Sequence, residues 1–289
     1  MNVEIIEQKH VHGKNLRDYA QRQRGSRREV FESIVSGYEE YRNAIDSVQE
    51  LNREGIIQIV TALNTYRRIA LPVFDRMDNA GQKALGYTIM EEFFFLLFSR
   101  RIAMLGLDHT NLFVGKGNSY VSLSFTPSSF GDLFSHPNAY IHTKDQDFVL
   151  GASIDINVQA DGSEESQSTI IPVVAIECKT YLERNMLDSC AATASRLKSA
   201  MPYCIYIVVA EYMKMSDVSP ELTDIDEVYI LCKAKNSDRE ARKRANLPPL
   251  DINADLVIDL FERVNRHLNS IWWHPDDAVE NGKIINRPS

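Results

Sequence analysis

The segment VVAIECK, residues 173–179, sets Glu177 and Lys179 two positions apart at the end of an apolar, β-branched run. Alternation along a strand points these two side chains to one face and Ile176 and Cys178 to the other, where a core can cover them. A carboxylate beside an ammonium at a strand end suits metal-assisted phosphodiester hydrolysis. The acid holds a hard cation, and the lysine orients or deprotonates water and steadies charge on the phosphate. The same spacing also occurs in an ordinary exposed strand-end salt bridge, so the reading needs a further acid.

That acid is sought upstream. KDQDFVLGASIDINVQ, residues 144–159, reads as a strand that opens with acids and continues in alternating apolar residues. Asp161-Gly162 in the connecting stretch is a strong hairpin dipeptide. A three-residue loop of Asp161, Gly162 and Ser163 would place residue 147 opposite residue 177, so Asp147 would face Glu177. Asp155 has the same parity but needs a turn near Ser166 that no glycine assists, and Asp145 lies beyond the strand's start. A bulge at Gly151 would shift this register by one residue. Otherwise Asp147 is a solvated residue at the strand's start.

Asp147, Glu177 and Lys179 together form Asp, long gap, Glu-x-Lys, and here the chain resembles the PD-(D/E)xK nuclease superfamily. Gln146 stands where the name has proline. The resemblance implies that Asp147, Glu177 and the backbone carbonyl of Cys178 coordinate Mg²⁺ while Lys179 serves the attacking water. It also implies an accessory glutamate on a helix ahead of the strands. Residues 86–105, GYTIMEEFFFLLFSRRIAML, read as that helix, with a stripe through Leu85, Ile89, Phe93, Leu96 and Leu97. Glu92 falls on this stripe and is the first candidate, with Glu91 the alternative. A surface acid paired with an arginine is the plainer reading.

The elements that must position these residues follow in order. YVSLSF (120–125) starts the sheet, and a small-residue helix follows Lys179. CIYIVVAEY (204–212) reads as a central strand parallel to the Glu-x-Lys strand, and DEVYILCKAK (226–235) as another strand. Residues 253–271 form an amphipathic helix capped by Asn253. Residues 81–289 thus read as an α/β restriction-endonuclease-like core, a mixed sheet flanked by helices. Residues 1–80 read as a helical region with helices at 16–24, 27–50 and 53–75, either a separate subdomain or an elaboration of the core. Within it, KNLRDYAQRQRGSRR carries Lys14, Arg17, Arg22, Arg24, Arg27 and Arg28 against one acid. Such a segment can neutralise phosphates and reach guanine edges, or simply form a solvated helix face. A second basic run, RKRANLPP with Arg239 ahead of it, is either a backbone contact or a loop. His10 and His12 read as solvated, and Trp272-Trp273 as core or contact residues.

The chain carries a formal charge of −8 over 289 residues, 44% of them hydrophobic, which gives ample material for one or two cores. Acidity argues mildly against nucleic-acid binding, yet only a cleft needs to attract DNA. The opening MNVEIIEQKHVHGK lacks an apolar signal region, no run approaches a membrane span, and four cysteines without metal-ligand spacing suit a reducing bacterial cytoplasm. No P-loop or GxGxxG is present.

From the Phe-rich helix through VVAIECKTYLERNM, and over most of the chain, the sequence is similar to the subunits of BbvCI-type heterodimeric type II restriction endonucleases, above all the second subunit. The resemblance implies Mg²⁺-dependent cleavage of one strand of double-stranded DNA at a short asymmetric site, alongside a related subunit that cuts the other strand. Alone, such a chain can form a homodimer. The rival readings are a structure-specific or repair nuclease of the same superfamily and a non-catalytic DNA-binding subunit.

Overall fold

A computed structural model of the chain describes residues 10–77, 80–106, 109–215, 219–270 and 275–282; Trp272-Trp273 lie outside them. Three helices come first: α1 (Val11–Gln21), α2 (Ser26–Ser47) and α3 (Arg53–Phe74). Gly25, at φ 58°, breaks α1 from α2. Asn52 caps α3 by accepting a hydrogen bond from the Gly55 amide at 2.9 Å. Helix α4 (Ala80–Met104) is apolar around much of its circumference. Phe93 through Phe98 are six successive buried residues, so no single stripe describes it. It is a central helix, with α1–α3 packed on one side and the sheet on the other.

The sheet has five strands, β1 (Leu112–Phe125), β2 (Ala139–Ala160), β3 (Ser163–Leu182), β4 (Ile205–Met213) and β5 (Glu227–Ile230), in that spatial order. A short helix, α5 (Asp132–Ser135), lies between β1 and β2. The first three strands form an antiparallel meander, and β4 and β5 add in parallel to β3. The crossover from β3 to β4 is α6 (Arg184–Ala200), whose Leu187, Cys190, Ala194 and Leu197 cover Ala175, Tyr206 and Val208. Ile176, Ile207 and Val209 alternate to the other face and pack with α4 and with α8 (Ala254–Leu268). Asn253 caps α8, accepting from the Leu256 amide at 3.2 Å, as expected. Two shorter helices, α7 (Asn236–Arg244) and α9 (Pro275–Asn281), and a 3-10 turn at Pro220–Leu222 complete the described elements.

Three expectations are corrected here. The strand expected over 226–235 ends at Ile230, because Leu231 and Cys232 turn into the core and Lys233 takes a left-handed φ of 49°. The first sheet strand begins at Leu112 rather than Tyr120. His10 and His12 are not solvated. His12 is 1% exposed between Thr88 Oγ1 (3.1 Å) and Tyr66 Oη (2.5 Å), and burial lowers its pKa to about 3. His10 Nδ1 lies 3.0 Å from an Arg42 guanidinium nitrogen.

The helical amino-terminal layer packs directly on the sheet-bearing part of the chain. One hydrophobic cluster runs from Leu16 of α1 to Val264 of α8. Arg67 of α3, 1% exposed, forms an ion pair with Glu211 of β4 and donates to the Leu250 carbonyl at 2.9 Å. Asn64 exchanges two hydrogen bonds with the Ile252 backbone, at 2.9 and 2.8 Å. Among the described residues no helix is long and apolar enough to cross a membrane.

Candidate active site

The hairpin register that brings Asp147 toward Glu177 arises differently from the expectation. The turn is two residues, Asp161-Gly162 with Gly162 at φ 84°, so Ala160 pairs with Ser163 and each pair up to Gly151–Pro172 follows that register. A bulge then falls between Leu150 and Gly151, where β3 carries the extra residue Val173, and beyond it Phe148 pairs with Ile176. The shorter turn and the bulge each move the register by one residue, in opposite senses. Continued one step, the ladder sets Asp147 opposite Glu177. Gly151 is required at this point, since a Cβ there would stand 2.0 Å from the Ile171 carbonyl oxygen.

At the end of the hairpin the Asp147 carboxylate takes over from the ladder, accepting a hydrogen bond from the Cys178 amide at 2.8 Å. Lys179 Nζ is bonded to Glu177 Oε1 and lies 4.0 Å from Asp147 Oδ2. The Cys178 side chain turns to the opposite face and packs on the core shared with α4. Burial pushes its thiol well above the usual range. Burial, and then the charge of Asp147, raise the pKa of Glu177, although Lys179 opposes the shift.

Two further residues join this group. Glu91 of α4 reaches the sheet and meets Lys116 of β1 at 3.1 Å; Lys116 also lies 3.6 Å from Asp147 Oδ1. Burial and Asp147 push the Glu91 carboxyl up to about 7. Charges therefore alternate along a chain of contacts: Glu91, Lys116, Asp147, Lys179, Glu177. Lys116 was not anticipated from the sequence. Its only local signal is Gly115-Lys116-Gly117, and the β1–β2 register shifts there.

Glu92 is placed elsewhere. It is 2% exposed and faces the helical layer, where it accepts from Tyr38 Oη and from the Gly13 amide at 2.9 Å. Neighbouring helix positions point about 100° apart, so Glu91 and Glu92 serve different layers. Asp145 lies opposite Asn118 of β1, and Asp155 accepts from Ser168 Oγ at 2.5 Å, well down the hairpin. Lys14, Arg17, Arg22, Arg24, Arg27 and Arg28 are all exposed. Of these, Arg28 pairs with Glu32 at 2.7 Å, Arg27 donates to Tyr19 Oη at 3.1 Å, and Arg17 lies 4.0 Å from Glu39.

The donor set suits a hard dication. Glu91, Asp147 and Glu177 offer only carboxylate oxygens, and two of them have raised pKa values in part from the charge of Asp147, a cost that a bound cation relieves. As the side chains stand, the ammonium groups of Lys116 and Lys179 lie among the carboxylates. Among the described residues no three His, Cys, Asp or Glu side chains are gathered closely enough to hold an ion.

A helix followed by an antiparallel meander, a crossover helix and a parallel strand, with acids and a lysine at one sheet edge, defines a restriction-endonuclease fold of the PD-(D/E)xK kind. The chain belongs to the Bpu10I restriction endonuclease family, which matches residues 82–283. It is similar in structure to a chain of the "native BbvCI A2B2 tetramer at low resolution", with a TM-score of 0.68 and 23% identity over 91% of this chain and 96% of that one. That coverage reaches into the helices that precede residue 82. No curated protein matches the sequence.

Proposed function

We propose that this chain is one subunit of a type II restriction endonuclease, cutting one strand of double-stranded DNA at a short asymmetric site while a related subunit cuts the other. The observation that carries the reading is the Asp147 carboxylate held on the Cys178 amide beside Glu177 and Lys179. Asp147 and Glu177, with the Cys178 carbonyl, would hold Mg²⁺, which when bound supplies Lewis-acid stabilisation of charge building on the phosphate. Lys179 orients the attacking water and takes up part of that charge. Lys116 adds a second ammonium at the same edge, and Glu91 holds it there. The BbvCI chain belongs to an A2B2 tetramer, which supports a paired-subunit assembly. The exposed arginines between Arg22 and Arg28 supply an additional duplex-binding surface.

The deciding experiment is a supercoiled-plasmid assay in Mg²⁺ with this chain, its sister subunit and their mixture, repeated with Glu177→Ala. Linear product from the mixture and nicked circles from the mutant mixture support one cut per subunit. Linear product from the mutant mixture would remove Glu177 from the chemistry.

A further inference from the structure

A cavity of about 480 Å³ lies where the carboxyl ends of β3 and β4 meet the end of α3, the start of α4 and helix α7. Five cations line it: Arg76, Arg239, Arg242, Lys243 and Arg244. The lining acids do not balance them. Glu211 is taken up by the buried Arg67. Asp75 is shared between Arg239 at 3.0 Å and Lys243 at 3.7 Å, and Glu240 meets Arg239 at 3.0 Å. Arg242 donates to the Pro248 carbonyl at 2.8 Å and Arg76 to Asn246 Oδ1 at 2.8 Å. Those acceptors are neutral, so they fix the guanidinium groups without cancelling their charge. A pocket with this excess stands out in a chain whose formal charge is −8.

Its position gives the charge a use. β3, β4 and β5 are parallel, so their carboxyl ends lie at one edge of the sheet, the edge that carries Lys179. Thr180, next to Lys179, lines the cavity, and so does Tyr87, one helical turn before Glu91. Helix α7 begins six residues after β5 ends and lies against that edge. By alternation Thr180 points to the opposite face of β3 from Lys179, so the cavity adjoins the reacting centre across the end of that strand.

We infer that this cavity is a phosphate-binding cleft that grips the duplex backbone beside the phosphate being cut. The inference rests on the DNA-cutting reading above. Arginine suits the role because its planar fork matches phosphate oxygens two at a time and stays charged at any working pH. The basic helix is thereby a positioning element, and sequence readout lies elsewhere.

The test is fluorescence anisotropy of a labelled 30-base-pair duplex in EDTA over a series of KCl concentrations. Wild-type full-length chain, paired with its sister subunit, is compared with Arg244→Ala, Arg244→Glu and Lys243→Ala in the same pairing, exposed positions whose replacement leaves the core untouched. The expected result is binding several-fold weaker for the alanine variants and weaker still for the glutamate. The slope of log Kd against log salt should fall by about one for each lost phosphate contact. Variants that melt like wild type with unchanged affinity and slope overturn the cleft while leaving the nuclease reading intact. No duplex binding by the wild-type chain paired with its sister subunit overturns both. Inorganic phosphate and ATP are run as further arms. If they raise the melting temperature of wild type but not of Arg244→Glu, while duplex affinity is unchanged, the cavity is a small-anion site and the proposal fails.

Discussion

Glu91 and Glu92 are neighbours in sequence, yet one touches the acid-and-lysine cluster and the other closes a hydrogen-bond network with Tyr38 and Gly13. Glu91→Gln is expected to lower cleavage severalfold and leave the fold intact. Glu92→Gln is expected to cost about 1–3 kcal/mol of stability, because one of the two buried side-chain oxygens that accept from Tyr38 and Gly13 is replaced by a donor. Parallel melting curves and cleavage rates check both; the reverse pattern would exchange their roles. The raised Glu91 pKa adds a pH dependence. The folded state holds this proton more tightly than the unfolded chain, so ionisation destabilises the fold as pH climbs from the ordinary 4.5 to about 7. In EDTA, the melting temperature of Glu91→Gln minus that of wild type should therefore be more positive at pH 8 than at pH 5. A shift of about 2–4 °C corresponds to about 1 kcal/mol in a protein of this size.

At the scale of elements, the β2–β3 hairpin joins the turn to the site. Its two-residue turn alone would leave the strands one residue out of step at Asp147, and the Val173 bulge restores them. Gly151→Ala forces a Cβ against the Ile171 carbonyl and cannot relax without opening the ladder. Such a variant should lose about 2–4 kcal/mol, in line with other backbone-incompatible substitutions, and lose cleavage as well. A melting temperature within a degree of wild type would show that the bulge accommodates a side chain. In the amino-terminal segment, Arg24→Ala should weaken duplex binding and flatten its salt dependence, measured by the same anisotropy titration.

At the scale of the whole molecule, α1–α3 lock onto the nuclease core through apolar packing and the buried Arg67–Glu211 pair. Removing one partner of a buried pair leaves the other charged and desolvated, a loss of about 3–5 kcal/mol. Arg67→Met should fall in that range by denaturant unfolding, whereas Arg67→Met with Glu211→Leu should recover much of it. Failure of the double replacement to recover stability would mean that Arg67 matters mainly through its bond to Leu250.

Local patterning in the sequence carried the element order, the meander followed by a parallel crossover, the Asn253 cap, and the presence of Asp147 and Glu-x-Lys on facing strands. These properties depend on side-chain alternation and short-range hydrogen bonding, which neighbours in the chain decide. It marked Gly151 as a place where a bulge could shift the register, but not that Val173 is the extra residue or that a two-residue turn offsets the shift, because both depend on how Gly151 meets a carbonyl on the next strand. Nor did it carry the choice between Glu91 and Glu92: on a helix buried on most of its surface, apolar periodicity no longer marks one inward face. Lys116 was hidden too, and although Arg239, Arg242, Lys243 and Arg244 stood out as a basic run, their gathering with Arg76 around one cavity did not. The cluster draws residues from α4, β1, β2 and β3, and the cavity from α3, α4, α7 and the ends of β3 and β4. Only tertiary packing fixes such distances.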